Sequence, residues 1–141
     1  MTLILEPHTD AEILRTYDVM HQLRPDIPRD RYVPLVRRLM EQEGYRLVAV
    51  RDEEQVRAVA GYRVMEMLYC GRILYVDDLV TDERVRSRGL GRQLLDWLKE
   101  AGRRQGCAEL HLDSRLHREA AHRFYEREGL AKTCYHFAAA L

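Results

Sequence analysis

The sequence predicts an α/β (α+β) domain with a mixed, mainly antiparallel central sheet of six to seven strands and helices on both faces. Two observations carry that class. Apolar residues follow a helical period up to Gly44, an alternating period through Val80, and a helical period again from Leu90. The resulting order is strand, two helices, three meandering strands, helix, strand, helix, strand, which is neither a regular βαβ alternation nor a bundle. The strands flanking the central helix are expected to run parallel, because that connection is a right-handed crossover.

Residues 2–5, TLIL, form the first strand. Asp10 is expected to cap a helix in which Ile13, Leu14, Tyr17, Met20 and Leu23 recur at helical spacing, stopped by Pro25 and Pro28. A second helix carries Tyr32, Val33, Val36, Leu39 and Met40 on one face and ends at Gly44. The segments YRLVAVR and VRAVAGYRVMEML then alternate around the polar turn DEEQ as a hairpin, and RILYVDDLV follows across YCG as the next strand. Leu90, Leu94, Leu95, Trp97 and Leu98 give the strongest helix its apolar side before Gly102 and Gly106 end it. AELHLD is a strand, REAAHRFYERE a helix stopped at Gly129, and KTCYHFAAA a last strand. No repeat, low-complexity run or flexible linker interrupts the chain, so residues 1–141 are assigned to a single domain.

Basic and acidic residues balance at 23 each, so no global field recruits nucleic acid or an anionic membrane, and any anion must be held locally. The opening MTLILEPHTD lacks a basic flank and meets Glu6 at once, unlike a secretory signal, and no apolar run approaches membrane-spanning length. A cytoplasmic protein is expected. Cys70, Cys107 and Cys134 are widely spaced, with no CxxC pair and no histidine spacing that completes a zinc site, so free thiols and no metal are expected.

Residues 85–95 read VRSRGLGRQLL. A helix that begins at Gly89 leaves its first backbone N–H groups without helical partners, and glycines there let an anion approach the main chain; phosphate is the natural guest. Arg86, Arg88 and Arg92 surround this end and would add charge-assisted hydrogen bonds to a diphosphate. Two other phosphate loops are excluded by spacing. No Lys–Ser/Thr pair follows Gly91, as a P-loop requires, and Leu94 stands where a dinucleotide fingerprint needs its third glycine. Alone, RxxGxG is equally an ordinary helix start with a solvated arginine face. Here it follows a strand, opens a long amphipathic helix, and is joined by a second motif in HREAAHRFYEREGL.

With both motifs in register, the chain resembles the GNAT superfamily of acyl-CoA-dependent N-acyltransferases. Leu79, Val80, Thr81, Asp82, Arg86, Gly89 and Gly91 match the strand, acidic turn and [QR]-x-x-G-x-[GA] signature. Ala121, Phe124, Tyr125, Glu126, Gly129 and Leu130 match the later A-x-x-F-Y-E-x-x-G-[FL] signature. The resemblance implies an N-acetyltransferase that moves an acetyl group from acetyl-CoA to the primary amine of a small molecule by direct attack in a ternary complex. A protein lysine or N-terminus as acceptor, or a catalytically silent acyl-CoA-binding module, are the alternatives. Oligomeric state is left open by the sequence, although dimers are common in the family and unpaired edge strands suit a homodimer.

By the same resemblance, the cofactor diphosphate sits on the N–H groups of Ser87, Arg88, Gly89, Leu90, Gly91 and Arg92. The pantetheine arm lies beside Leu79, Val80 and Thr81 like an added strand, with an N–H near Val80 polarising the thioester carbonyl. Arg118 replaces the asparagine often found at its place and would meet a cofactor phosphate or carbonyl instead. Tyr125 is expected to protonate the departing thiolate. Asp77 and Asp78, adjacent in a strand, are expected to point to opposite faces, so that only one lines the acceptor site; Asp77 is the expected proton acceptor. The alternatives are ion-paired aspartates and a packed tyrosine. His111, His117 and His122 have no spacing that pairs them with a nucleophile, and Tyr62, Tyr69 and Tyr75 are candidates to line the acceptor cleft. Arg24, Asp26, Arg29 and Asp30 form no decisive pattern.

Overall fold

In the computed structural model, which describes residues 1–86 and 88–141, strand β1 (Thr2–Leu5) pairs antiparallel with β2 (Arg46–Asp52). Strand β3 (Gln55–Met67) returns beside β2 and β4 (Gly71–Thr81) beside β3, both antiparallel. The hairpin turn between β2 and β3 is tight, with Glu53 at a positive φ of 57°. Helix α4 (Leu90–Arg104) then crosses to β5 (Glu109–Leu112), the strand next to β4 in the sheet order β1-β2-β3-β4-β5.

The described residues thus hold five strands in a mixed sheet, where six to seven were expected. The missing strand is KTCYHFAAA. Residues 131–141 are exposed throughout and have no regular secondary structure. A strand is held in register by the face it buries, and this segment buries none.

The first helix is capped by Thr9 rather than Asp10. Thr9 Oγ1 accepts the Glu12 N–H (3.2 Å) while Glu12 Oε1 accepts the Thr9 N–H (3.0 Å), a reciprocal capping box. The expected single helix is broken into α1 (Asp10–Arg15) and α2 (Tyr17–Leu23). At the break Thr16 is fully buried, and its hydroxyl donates to Ile13 O (2.7 Å) and meets Tyr32 OH (2.7 Å). Helix α3 (Arg29–Glu43) ends where Gly44 takes φ 69°.

Alternation puts a helix layer on each face of the sheet. Leu47 and Ala49 of β2 share a core with Ile13, Tyr17, Met20, Tyr32 and Val36 of α1–α3. Val48 and Val50, equally buried, face the other way, where α4 packs against β2, β3 and β4 through Leu94, Leu95 and Leu98. Helix α4 runs through Gly102 instead of ending there, and Gly106 (φ 75°) follows it.

The described chain forms two compact units, residues 1–111 and 112–141. The second holds α5 (Glu119–Arg127), followed by Gly129 at φ 92°.

Candidate active site

Strand β4 carries one residue too many at its centre. Gly61 pairs with Asp78 and Tyr62 with Val76, so Asp77 has no opposite number in β3. Such a bulge breaks the strict alternation of side chains. Its consequence corrects the expectation that the two aspartates point to opposite faces, because Asp77 and Asp78 line the same cavity. That cavity, about 370 Å³, lies between α2–α3 and the β3–β4 strands. Met20, Ile27, Val36 and Leu39 give it apolar walls, and Tyr32, Tyr45 and Tyr75 add phenols.

Each carboxylate has its own guanidinium. Arg63 grips both oxygens of Asp77 through Nε (3.2 and 3.1 Å) and binds Oδ2 again through Nη2. Arg24, from the end of α2, donates through Nε to Asp78 Oδ1 (2.8 Å) and through Nη2 to the Asp77 carbonyl (2.9 Å). Tyr45 donates its hydroxyl to Asp78 Oδ2 (2.7 Å). Burial first, and the Asp78 charge second, push the Tyr45 phenol well above its usual range, so it remains a donor. Burial likewise pushes Tyr32 up to about 12.

The phenol of Tyr45 reaches Asp78 across a missing side chain. A Cβ at Gly61 would lie 1.8 Å from the Tyr45 hydroxyl oxygen, so only glycine admits that ring. Arg24, Tyr45, Gly61 and Arg63 were not singled out from the sequence as a group, since they meet only through long-range pairing. Of the three candidate tyrosines, Tyr75 lines the cavity, Tyr62 is buried with its ring 5.9 Å from Trp97, and Tyr69 is exposed at the β3–β4 turn.

Past the bulge, Leu79, Val80 and Thr81 pair with Ala60, Val59 and Ala58. Strand β5 enters beside Arg72, where Ala108 N–H donates to Arg72 O (2.8 Å), and four residues from there run out short of Leu79. Asp82 N–H turns toward β3, donating to Arg57 O (2.7 Å). N–H direction alternates along a strand, so the Val80 N–H turns toward β3 as well. The amides of Leu79 and Thr81, on either side of Val80, therefore point away from β3.

The turn that follows is pinned by Asp82, whose carboxylate is wholly buried. It accepts from the backbone N–H (3.1 Å), Nε (3.1 Å) and Nη2 (3.0 Å) of Arg84, from Gln22 Nε2 (3.3 Å) and from Arg57 Nη1 (3.0 Å). The hydrogen bonds from Arg84 above all hold its pKa far below the usual carboxylate range. Gly89, in the left-handed region at φ 76°, then starts α4, and the first intrahelical bond runs from Gln93 N–H to Gly89 O (3.0 Å). The amides of Leu90 and Gly91 thus lie at the open helix end. Arg86 is exposed, Arg88 sits 3.7 Å from Asp52, and Arg92 lies 3.8 Å from Asp96 one turn on. Ser87 lies outside the described residues.

In the second unit, Tyr125 is half-buried on α5 with its ring 5.5 Å from Phe124. Burial raises its pKa, and the nearby Arg118 charge at the start of α5 works against that shift. His122 Nε2 pairs with Arg115 O (2.8 Å), a local contact.

Residues 11–130 match the family model described as Acetyltransferase (GNAT) family. The chain belongs to that family. It is therefore an acyl-CoA-dependent acetyltransferase, as the paired motifs implied. An uncharacterized N-acetyltransferase of Bacillus subtilis is 32% identical over 114 residues, 81% of this chain and 80% of that one. The aminoalkylphosphonate N-acetyltransferase of Salmonella typhimurium is 33% identical over 97 residues, 69% of this chain and 62% of its own length. The fold is that of an aminoglycoside N-acetyltransferase solved with CoA, at TM-score 0.87 and 14% identity, covering 100% of this chain and 95% of that one. No helix among the described residues is long and apolar enough to cross a membrane.

Proposed function

We propose that this chain transfers an acetyl group from acetyl-CoA to the primary amine of a small molecule, by direct attack in a ternary complex. The observation that carries the reading is the pair of carboxylates that the β4 bulge turns into one cavity. Among the described residues lining the cavity, Asp77 and Asp78 are the anionic groups, each paired with a guanidinium; an ammonium entering between the apolar walls would meet them there, and must lose a proton before its nitrogen can attack. The Salmonella relative, by its name, acts on an aminoalkylphosphonate, a small amine.

Asp77 is the proton acceptor in this reading, directly or through water. Asp78 has one oxygen on Arg24 and the other on Tyr45, whereas both oxygens of Asp77 are held by Arg63. Leu90 and Gly91 amides with Arg86, Arg88 and Arg92 suit a diphosphate, and the outward amides of Leu79 and Thr81 suit a pantetheine amide edge and the thioester oxygen. Bound acetyl-CoA would supply the activated acetyl group. Tyr125, protonated at neutral pH, would return a proton to the leaving sulfur, and Arg118 would meet a cofactor oxygen.

Thiol release from acetyl-CoA across a panel of small amines and a lysine peptide tests the reading. Turnover with at least one small amine is expected, cut about 100-fold in both Asp77→Asn and Tyr125→Phe when chemistry limits the rate. Turnover with the peptide alone would move the acceptor to protein. If no amine releases thiol while acetyl-CoA still raises the melting temperature, the chain is a silent binding module.

A further inference from the structure

Away from the cavity, three side chains of different chemistry converge at the end of the sheet where β3 turns into β4. Cys70 belongs to that turn, and Glu109 and His111 stand two residues apart on β5, hence on the same face. One ligand atom from each lies within 4.8 Å of the other two. His111 Nε2 is 2.7 Å from Glu109 Oε1, and the Tyr69 ring, its centroid 6.3 Å from that of His111, flanks the imidazole.

From this convergence we infer a binding site for a divalent ion of zinc's borderline type, with Cys70, Glu109 and His111 as its protein ligands. Tetrahedral zinc holds thiolate sulfur at about 2.3 Å and imidazole nitrogen or carboxylate oxygen at about 2.0–2.2 Å, which sets neighbouring ligand atoms roughly 3.5 Å apart. The three atoms are therefore at most about 1.3 Å beyond that spacing. A thiolate and an imidazole beside a single carboxylate select zinc-like ions over magnesium and calcium, which take oxygen ligands. Three protein ligands leave a fourth position for water. On binding, the Cys70 thiol gives its proton to solvent, and the ion takes the place of any proton shared by His111 and Glu109.

Sequence spacing hid this trio, because the thiol lies in a hairpin turn and its partners on a strand that enters only after α4. The expectation of no metal rested on spacing alone. Occupied, the site would tie the β3–β4 turn to β5 and stabilise the native chain.

Cobalt(II) is the probe. Titrated into the reduced, chelator-stripped full-length protein, it is expected to give a thiolate-to-cobalt charge-transfer band at one equivalent, displaced by zinc. The band should vanish in Cys70→Ser, weaken at least tenfold in apparent affinity in His111→Ala and Glu109→Gln, and persist in Cys107→Ser and Cys134→Ser. Zinc should raise the melting temperature of the wild type and of the last two variants alike, less in His111→Ala and Glu109→Gln, and not in Cys70→Ser. No band in the wild type, a band that survives Cys70→Ser in protein whose circular dichroism is native, or one lost with Cys107 or Cys134 would overturn the site.

Discussion

The two ends of strand β4 are built in opposite ways. Beyond Thr81, the turn and the start of α4 are shaped by one continuous stretch: Asp82 folds back on Arg84, Gly89 takes the left-handed conformation and Leu90 begins the helix. At Asp77 and Asp78, the carboxylates' partners are assembled from afar. Arg24 lies 54 residues from Asp78, Tyr45 33 residues away, and Arg63 14 residues from Asp77. One end is a local motif and the other a tertiary construction. Substitutions should therefore fail differently at each: through the cofactor's affinity at the local end, through folding and turnover together at the assembled end.

The largest expected effect falls where the two ends are joined. Asp82 closes β4, and its bonds to Gln22 and Arg57 tie the local turn to α2 and β3. Asp82→Asn leaves two guanidiniums facing a neutral amide and is expected to cost roughly 3 kcal/mol by chemical denaturation. The pH dependence has a fixed sign. The folded-state pKa of Asp82 is depressed, so its contribution is complete above the unfolded carboxylate value of about 3.9 and is lost as pH falls below it. The wild type should lose stability on acidification below that pH, and the variant should lose less. Equal acid slopes would show that the turn is not held by this charge.

A somewhat smaller effect separates the assembled end from the local one. Gly61→Ala would drive a Cβ into the Tyr45 ring, and Tyr45 is 4% exposed, with little room to retreat. A loss of about 2 kcal/mol is expected, with turnover falling in parallel as the Tyr45–Asp78 bond breaks. Tyr45→Leu should cost less in the Gly61→Ala background than alone, a coupling that a double-mutant cycle measures. Additive losses would mean that the ring does not need the gap.

The same contrast explains what could be read from the sequence. Helix α4 was legible because Leu90, Leu94, Leu95 and Leu98 repeat on one face, and the β2–β3 hairpin because its strands alternate. The left-handed start of α4, proposed to hold the diphosphate, was legible as a spacing of Arg86, Gly89 and Gly91. The bulge was not, because nothing in DDLVT records that Asp77 lacks a partner in β3; register is set by pairing, and the extra residue appears only against Gly61 and Tyr62. Arg24 was equally hidden among Asp26, Arg29 and Asp30, being a surface charge until α2 is laid against β4. The missing last strand teaches the complementary lesson, since Tyr135 and Phe137 alternate as a strand should, yet remain 80% and 90% exposed.

The smallest expected effect is the one that isolates the local end. Arg86, Arg88 and Arg92 are exposed or partly so, and the ion pairs Arg88–Asp52 and Arg92–Asp96 lie at the long end of ion-pair distance. Removing one of them should leave stability within about 0.5 kcal/mol of the wild type. Contacts to a cofactor phosphate are made alike in the ground state and the transition state. Arg86→Ala and Arg88→Ala are therefore expected to raise the KM for acetyl-CoA roughly three- to tenfold with kcat unchanged, and to flatten its dependence on ionic strength. A fall in kcat at constant KM would place these arginines in the chemistry and dissolve the division between the two ends of β4.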